Sequence, residues 1–344
     1  MAYDMPRLVE VSSWLMIASA SCTLVALLLI RAPYGRYTTS KGWGAQLPAK
    51  LAWLVMEAPT LWMTALMYIM TGGPLLSHAT NSHFAAQDSA SHVCNLGEAL
   101  CGIMGERNGT WAANTRAQAS ENQGNLVNCV LLIFFISHYI HRAIIFPCLR
   151  LPKTAAPMPW TVCFLAFAYC AWNGFNQSAG LMTSYVYSED YVHNPRFLIG
   201  MAIALLGFAL NVHADSILMR LKDSSSGKAT SGHVQDQRLK DPLVAAETTE
   251  QAHSHQAELA RRRQRYKIPH GGLFYFVSCA NYSAEILEWF GYAVAGWNLA
   301  GFAFFIFTFS NTAPRAYQHH LWYLETFGDE YQKLNRKAVI PFIW

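Results

Sequence analysis

The chain has 344 residues, of which 53% are hydrophobic and only 13% charged. An ordinary soluble domain carries roughly 25% charged residues, so this composition excludes a soluble globule and, with so much apolar surface, an extended disordered chain. The formal net charge of +4 excludes little by itself, but the placement of the charges is informative. No Asp, Glu, Lys or Arg lies between Lys153 and Glu189, and between Gly271 and Pro314 the only ones are Glu285 and Glu288. A transmembrane helix needs about 20 mostly apolar residues, so the composition points to a polytopic membrane protein. The mean hydropathy of +0.15 averages apolar spans with polar loops.

In chain order the apolar runs are Val11–Ile30, Leu51–Met70, Leu126–Phe146, Met158–Tyr187, Phe197–Ala214 and Gly271–Ala313. Met1–Arg7 lacks the basic start of a cleavable signal, so Val11–Ile30 is read as the first helix. At 1.5 Å per residue the last run would make about 65 Å of helix, near twice the ~30 Å hydrocarbon core. It is expected to make two passes with a turn at Gly296-Trp297-Asn298. The fold expected is an all-α membrane protein, a seven-transmembrane-helix bundle forming a single domain over 1–344. The alternating ten-residue segments of a β-barrel are absent. Segments 31–50, 147–157, 215–270 and 314–344 carry 20 of the 25 Lys and Arg, and the opposite segments 4. That asymmetry puts the N-terminus in the lumen and the C-terminus in the cytosol.

Two insertions interrupt the bundle. Residues 71–125 read as a long lumenal loop with an Asn108-Gly109-Thr110 glycosylation acceptor and with Cys94 and Cys101, which could pair there. Residues 223–262, rich in Ser, Gln, Ala, His and charge, read as a mostly disordered cytosolic insertion ending in a basic run, Arg261-Arg262-Arg263-Gln264-Arg265. Six other cysteines lie in or beside apolar runs and behave as small hydrophobes.

An ionisable group inside a span is a site hypothesis by default. Glu57 lies in the second helix with Trp53 one turn before it. His138, Tyr139, His141 and Arg142 lie in the third, and Asn211, His213 and Asp215 close the fifth. Asn281, Glu285 and Glu288 form a stripe at i, i+4 and i+7 in the sixth. Arg315, His319, His320 and Tyr323 follow the seventh. Structural roles compete at each: Glu57 paired with Arg142, the stripe as interhelical glue, Asn211 and Asp215 as end caps. His138-x-x-His141 and His319-His320 lack the further ligands of a metal site, and none is expected. Asp215, Lys267 and the residues after the seventh helix cluster at the cytosolic end. A polar pocket open to the cytosol would suit an anionic cofactor, and an apolar half would suit a lipid-soluble substrate. No G-x-G-x-x-G after a strand is present, so no Rossmann domain is expected.

Several segments resemble the steroid 5α-reductase family, with the plant-type members nearest. They are Ala32-Pro33-Tyr34-Gly35-Arg36-Tyr37, the Pro48 to Pro59 segment around Glu57, His138-Tyr139-Ile140-His141-Arg142, Trp172-Asn173-Gly174-Phe175-Asn176-Gln177 and Asn211-Val212-His213-Ala214-Asp215. Tyr266 to Phe274, Asn281 to Trp289 and Arg336 to Phe342 complete the set, which covers nearly all of the chain outside the two insertions. The resemblance implies an endoplasmic reticulum membrane enzyme that uses NADPH to saturate the C4–C5 double bond of a 3-oxo-Δ4 steroid drawn from the bilayer, with no nucleic-acid partner. It implies that Glu57 and Tyr139 hydrogen-bond the 3-keto oxygen beside Trp53. It also implies that Asn211, Asp215, Tyr266, Asn281, Glu285, Arg315, His319 and Tyr323 hold the dinucleotide, with Lys222 and Lys267 where some members use Arg. Met56 and Leu165 stand where animal type-2 enzymes have Gln and Arg. The alternatives are a polyprenal or enoyl-CoA reductase of the same superfamily and, from another class, a seven-helix receptor or transporter.

Overall fold

A computed structural model describes residues 4–32, 35–37, 43–71, 125–152, 155–226 and 247–344. Cys94, Cys101 and Asn108 lie outside the described residues. Seven long helices carry the apolar runs: α1 Met5–Leu29, α2 Ala49–Met70, α3 Leu126–Ile140, α4 Trp160–Ala179, α5 Pro195–Ser226, α7 Ala280–Gly296 and α8 Leu299–Phe327. Between and after them come α6 Glu247–Arg265 and a short α9 Asp329–Gln332. The last apolar run breaks where the length argument put the turn. Trp297 takes a φ of 44°, and the Asn298 side chain caps α8 by accepting from Gly301 N at 2.8 Å.

Among the described residues, four helical stretches are long and apolar enough to cross a membrane: Met5–Leu29, Ala49–Met70, Leu126–Arg150 and Pro195–Lys222. α7 has only 17 residues, and α4 ends in the polar set Asn173, Asn176, Gln177 and Ser178. The chain is a multi-pass, mainly helical membrane protein.

Three boundaries differ from the sequence reading. The run to Tyr187 stops being regular α-helix at Ala179, and Tyr185 N then bonds Gly180 O, five residues back, at 2.8 Å. A Cβ added at Gly180 would sit 2.4 Å from the Tyr185 ring, so this wider turn favours glycine there. α5 runs on to Ser226, past Ala214. The insertion read as mostly disordered is helical over Glu247–Arg265. Its low apolar content hid a sequence rich in Ala, Glu, Gln and Arg, which are strong helix formers. Arg262 Nε reaches Glu258 Oε1 one turn back at 3.0 Å, and Arg263 Nε donates to Thr326 O at 2.6 Å.

The contacts divide the chain into two compact units. The first comprises Met1–Leu151, Ala155–Phe208 and Glu285–Thr312; the second comprises Pro152–Thr154, Ala209–Ala284 and Ala313–Trp344.

In the first unit α2 and α4 are joined by small and hydroxylated residues. Thr60 Oγ1 donates to Cys170 O at 3.0 Å, and Thr64 Oγ1 and Ser178 Oγ are 2.7 Å apart. A Cβ on Gly174 would lie 2.9 Å from Thr60 Cα, so glycine sets the spacing. Two short strands, Gln46–Leu47 and Met158–Pro159, pair antiparallel just before these helices begin. After Ile140 the third helix widens to i→i+5 bonding over His141–Arg150, with Pro147 inside it.

α5 and α7 come closer still. A Cβ on Gly291 would lie 2.3 Å from Ala204 N, one on Gly200 2.3 Å from Ala295 N, and one on Gly207 2.4 Å from Glu288 N. Close backbone approach through small residues is how helices gain contact where lipid removes the hydrophobic drive. Gly291→Val should therefore cost about 1–3 kcal/mol or more by overpacking. The check is thermal unfolding of the detergent-solubilised protein, which should begin at a lower temperature than in wild type.

Candidate functional site

The first unit gathers Glu57, Tyr139, Arg142, His138 and Glu285 around α4. Glu57 on α2 accepts from Cys170 Sγ at 3.7 Å and lies within electrostatic reach of Arg142, Glu285 and His138. The Arg142 guanidinium sits 4.7 Å above the Trp53 ring and 3.9 Å from Glu285 Oε2. Trp53 in turn packs edge-on against Phe146 at 5.1 Å. Glu288, fully buried, receives His138 Nδ1 at 2.6 Å. The α7 stripe thus divides: Glu285 faces Arg142 and Glu288 faces His138.

Tyr139 is held by a relay of amides. Gln177 Nε2 donates to the backbone oxygen of Ala300 at 2.8 Å and to Asn173 Oδ1 at 3.2 Å. A backbone carbonyl only accepts, so it fixes which way the Gln177 amide faces. Asn173 must then turn its NH2 outward, and Asn173 Nδ2 donates to the Tyr139 hydroxyl at 3.3 Å. Tyr139 accepts in that bond, and its own proton is left to be donated elsewhere. Cys170 and Asn173 occupy neighbouring positions one turn apart on α4, so one helix face meets both Glu57 and Tyr139.

The second unit holds Asn211, Asp215, Lys222, Tyr266, Lys267, Asn281, Arg315, His319 and Tyr323. Asn211 and Asp215 are buried, and Asn211 Nδ2 donates to Asn281 O at 3.3 Å. Arg315 Nη2 donates to the Tyr282 hydroxyl at 2.5 Å, and its guanidinium lies 4.8 Å above the same ring. The His319 ring lies tilted toward the Tyr282 ring, 6.1 Å between centroids. Tyr266 and Lys267 line a cleft of about 320 Å³ with Arg263, His270 and Glu330. Lys222 and Lys267 are exposed. Tyr323 is buried and stacked on Tyr331 at 4.9 Å and on Phe327 at 6.0 Å, so its ring faces are occupied by protein.

The glycine turn at 271–272 has positive φ at both residues, 103° and 53°. A Cβ on Gly272 would meet the His213 ring at 2.7 Å, so the segment after Lys267 lies directly on α5. Residues 276–279 pair with Lys337 and Ala338: Ser278 N donates to Lys337 O at 2.8 Å and Lys337 N to Phe276 O at 2.9 Å. Buried Arg336 donates to Pro269 O at 2.8 Å. This pairing anchors the start of α7 and with it Asn281.

Charge inside apolar runs singles out Glu57, Arg142, Glu285 and Arg315 as candidates, and the structure brings the first three together. Sequence reasoning missed Cys170, Asn173, Gln177 and Tyr282 as site members. The i, i+4 pair Asn173 and Gln177 inside an apolar run was a usable signal, and the 172–177 motif contained it. Leu165 is exposed and makes no part of either cluster.

The family model described as 3-oxo-5-alpha-steroid 4-dehydrogenase matches residues 156–233 and 244–344. Over 337 residues the chain is 34% identical to 3-oxo-5-alpha-steroid 4-dehydrogenase 1 of Bos taurus, covering 98% of this chain and 97% of that protein. It is 32% identical to the steroid 5-alpha-reductase DET2 of Gossypium hirsutum, over 94% of this chain and 92% of that one. It is also 32% identical to 3-oxo-5-alpha-steroid 4-dehydrogenase 1 of Homo sapiens, over 90% and 86%. Identity to the animal and plant proteins is nearly equal and does not single out a plant branch.

A polar network behind Arg315 and His319 gives a pH prediction. Ser278 Oγ lies 2.6 Å from His320 Nδ1 and receives Tyr331 OH at 2.7 Å. Burial, and then the Lys337 charge, push His320 below its ordinary value of 6.5. Between its folded value and 6.5 the unfolded chain therefore binds a proton that the folded chain does not. This component of stability is present above that window and falls away as the pH drops through it. Wild type should lose more thermal stability than His320→Gln when taken from neutral pH to below 6.5; parallel losses would refute the assignment.

Proposed function

The chain belongs to the 3-oxo-5-alpha-steroid 4-dehydrogenase family, a family of oxidoreductases, and we propose that it uses NADPH to reduce the C4–C5 double bond of a 3-oxo-Δ4 steroid or sterol to the 5α product. The observation that carries this reading is the amide relay from Ala300 through Gln177 and Asn173 to Tyr139, which leaves a fixed phenol with a proton to give. An enone accepts hydride at its β carbon only as negative charge moves onto the carbonyl oxygen. Donors aimed at that oxygen stabilise the developing enolate, as in an oxyanion hole. Tyr139 supplies one such donor. Glu57 supplies the second in its protonated form, and the carbonyl's two lone pairs are then both met. Trp53, braced by Arg142 and Phe146, gives the steroid an apolar wall.

Bound NADPH supplies the hydride. The second unit's chemistry fits such a dinucleotide. Arg315, Lys267, Lys222 and the neighbouring Arg263 are cations suited to phosphates. Asn211, Asp215, Asn281 and His319 suit ribose hydroxyls and amide edges, and the ring of Tyr266 suits a planar base. Tyr323, already stacked on Tyr331 and Phe327, packs edge-on against Trp322, which in turn backs the Tyr266 ring. Glu285, a carboxylate that only accepts, suits the NH2 of the nicotinamide carboxamide. The reading includes seven crossings in the endoplasmic reticulum membrane, with a lumenal N-terminus and a cytosolic C-terminus, supported by the Lys and Arg asymmetry.

The direct test supplies NADPH to membranes that express the chain, with C19/C21 hormones or C27–C29 4-en-3-ones. Polyprenal and an enoyl-CoA serve as comparators, and products are identified by mass spectrometry. A 5α-3-oxo product is expected. Reduction of only the comparators would overturn the reading.

Glu57→Gln and Tyr139→Phe should each lower kcat about tenfold or more while NADPH affinity is kept. Gln177→Leu should also lower kcat, by less, because Asn173 then loses the partner that orients it. Unchanged turnover in the purified Glu57 and Tyr139 variants would remove both residues from catalysis.

A further inference from the structure

One buried group near Glu57 is left over by this chemistry. Tyr169 lies on α4, next to Cys170 and one turn before Asn173. Its hydroxyl is buried and has no hydrogen-bond partner among the described residues. Its ring is stacked on Phe307 of α8, 3.9 Å between centroids and 16° from parallel, so the phenol cannot swing to find one. A buried hydroxyl without a partner is costly, and more so where the bilayer core supplies no water. Such a group retained against that cost points to a partner that arrives with a ligand.

The candidates narrow by counting donors and acceptors. The keto oxygen of the steroid has two lone pairs, and the proposed Glu57 and Tyr139 donors fill them. The polar groups close to the Tyr169 hydroxyl include Cys170, Glu285 and Glu57. Cys170 already donates to Glu57. Glu285 was assigned the carboxamide NH2 of the nicotinamide. A carboxamide presents one donor group and one acceptor oxygen, so a site with Glu285 alone would leave that oxygen unmet.

We propose that the Tyr169 hydroxyl donates to the carboxamide oxygen of the cofactor's nicotinamide, completing with Glu285 a two-point grip that orients the ring. The inference rests on the NADPH reading above. It makes Tyr169 a cofactor-binding residue on a helix whose other contacts serve the keto end. The neighbouring stack on Phe307 holds the donor in place.

The test uses purified full-length protein and cofactor binding measured directly by calorimetry or fluorescence transfer, without turnover. Tyr169→Phe keeps the ring and the stack and removes only the hydroxyl, so unliganded thermal stability should be unchanged or slightly higher. NADPH should bind the variant about 3–10-fold more weakly than wild type, the usual worth of one hydrogen bond. The 3-acetylpyridine analogue keeps the oxygen and lacks the NH2, and should show the same penalty. The thionicotinamide analogue, whose sulfur is a poor acceptor, should show little. Equal NADPH affinity in wild type and variant would overturn this inference and leave the reductase reading intact. A penalty confined to steroid KM would overturn it by assigning the hydroxyl to the substrate. Wild type that binds no NADPH would overturn both readings together.

Discussion

Two side-chain amides one helical turn apart decide which way a phenol can give its proton. In an apolar bundle each polar group must find its partner inside the protein. Gln177 finds one that cannot be flipped, the backbone oxygen of Ala300, and its orientation passes to Asn173 and then to Tyr139. The same rule accounts for the Thr60, Thr64 and Ser178 contacts that hold α2 against α4 and set the height of Glu57 beside Cys170. Removing any one link frees the next. The chemistry assigned to Glu57 and Tyr139 is thus secured by groups that never need to touch a substrate.

The glycine contacts between α5 and α7 serve the same end by packing rather than by hydrogen bonding. With Gly200, Gly207 and Gly291 letting the backbones almost touch, α7 has little freedom to slide or rotate. Glu285 and Glu288, three residues apart, are therefore held toward two different partners, Arg142 and His138. In the second unit the anchoring is of another kind, a short strand-like pairing of residues 276–279 with Lys337 and Ala338, backed by buried Arg336.

Charge in an apolar run is a loud signal, so Glu57, Arg142, Glu285 and Arg315 were legible in the sequence. So was the break at Gly296-Trp297-Asn298, because a 43-residue run whose only charges are Glu285 and Glu288 is too long to cross once. Neutral polar side chains are quieter. Asn173, Gln177, Cys170 and Tyr169 each look tolerable in a helix, and their roles exist only through partners far away in sequence, such as Ala300 and Phe307. Tyr282 looks like any aromatic in a span, and its place as the ring beneath Arg315 depends on a partner 33 residues further on. α6 was missed for the opposite reason: a polar, charged composition looks the same whether a segment is disordered or a surface helix stapled by Glu258, Glu325 and the Thr326 carbonyl.

The pairing of residues 276–279 with 337–338 has a consequence for biogenesis. The segment that steadies the first turn of α7 is translated only after both α7 and α8. During synthesis the cluster around α4 can assemble as soon as α8 provides the Ala300 carbonyl, while the base of α7 still lacks its brace. The base of α7 is therefore braced last, and lesions at Arg336 or Lys337 should act by lowering the yield of folded protein.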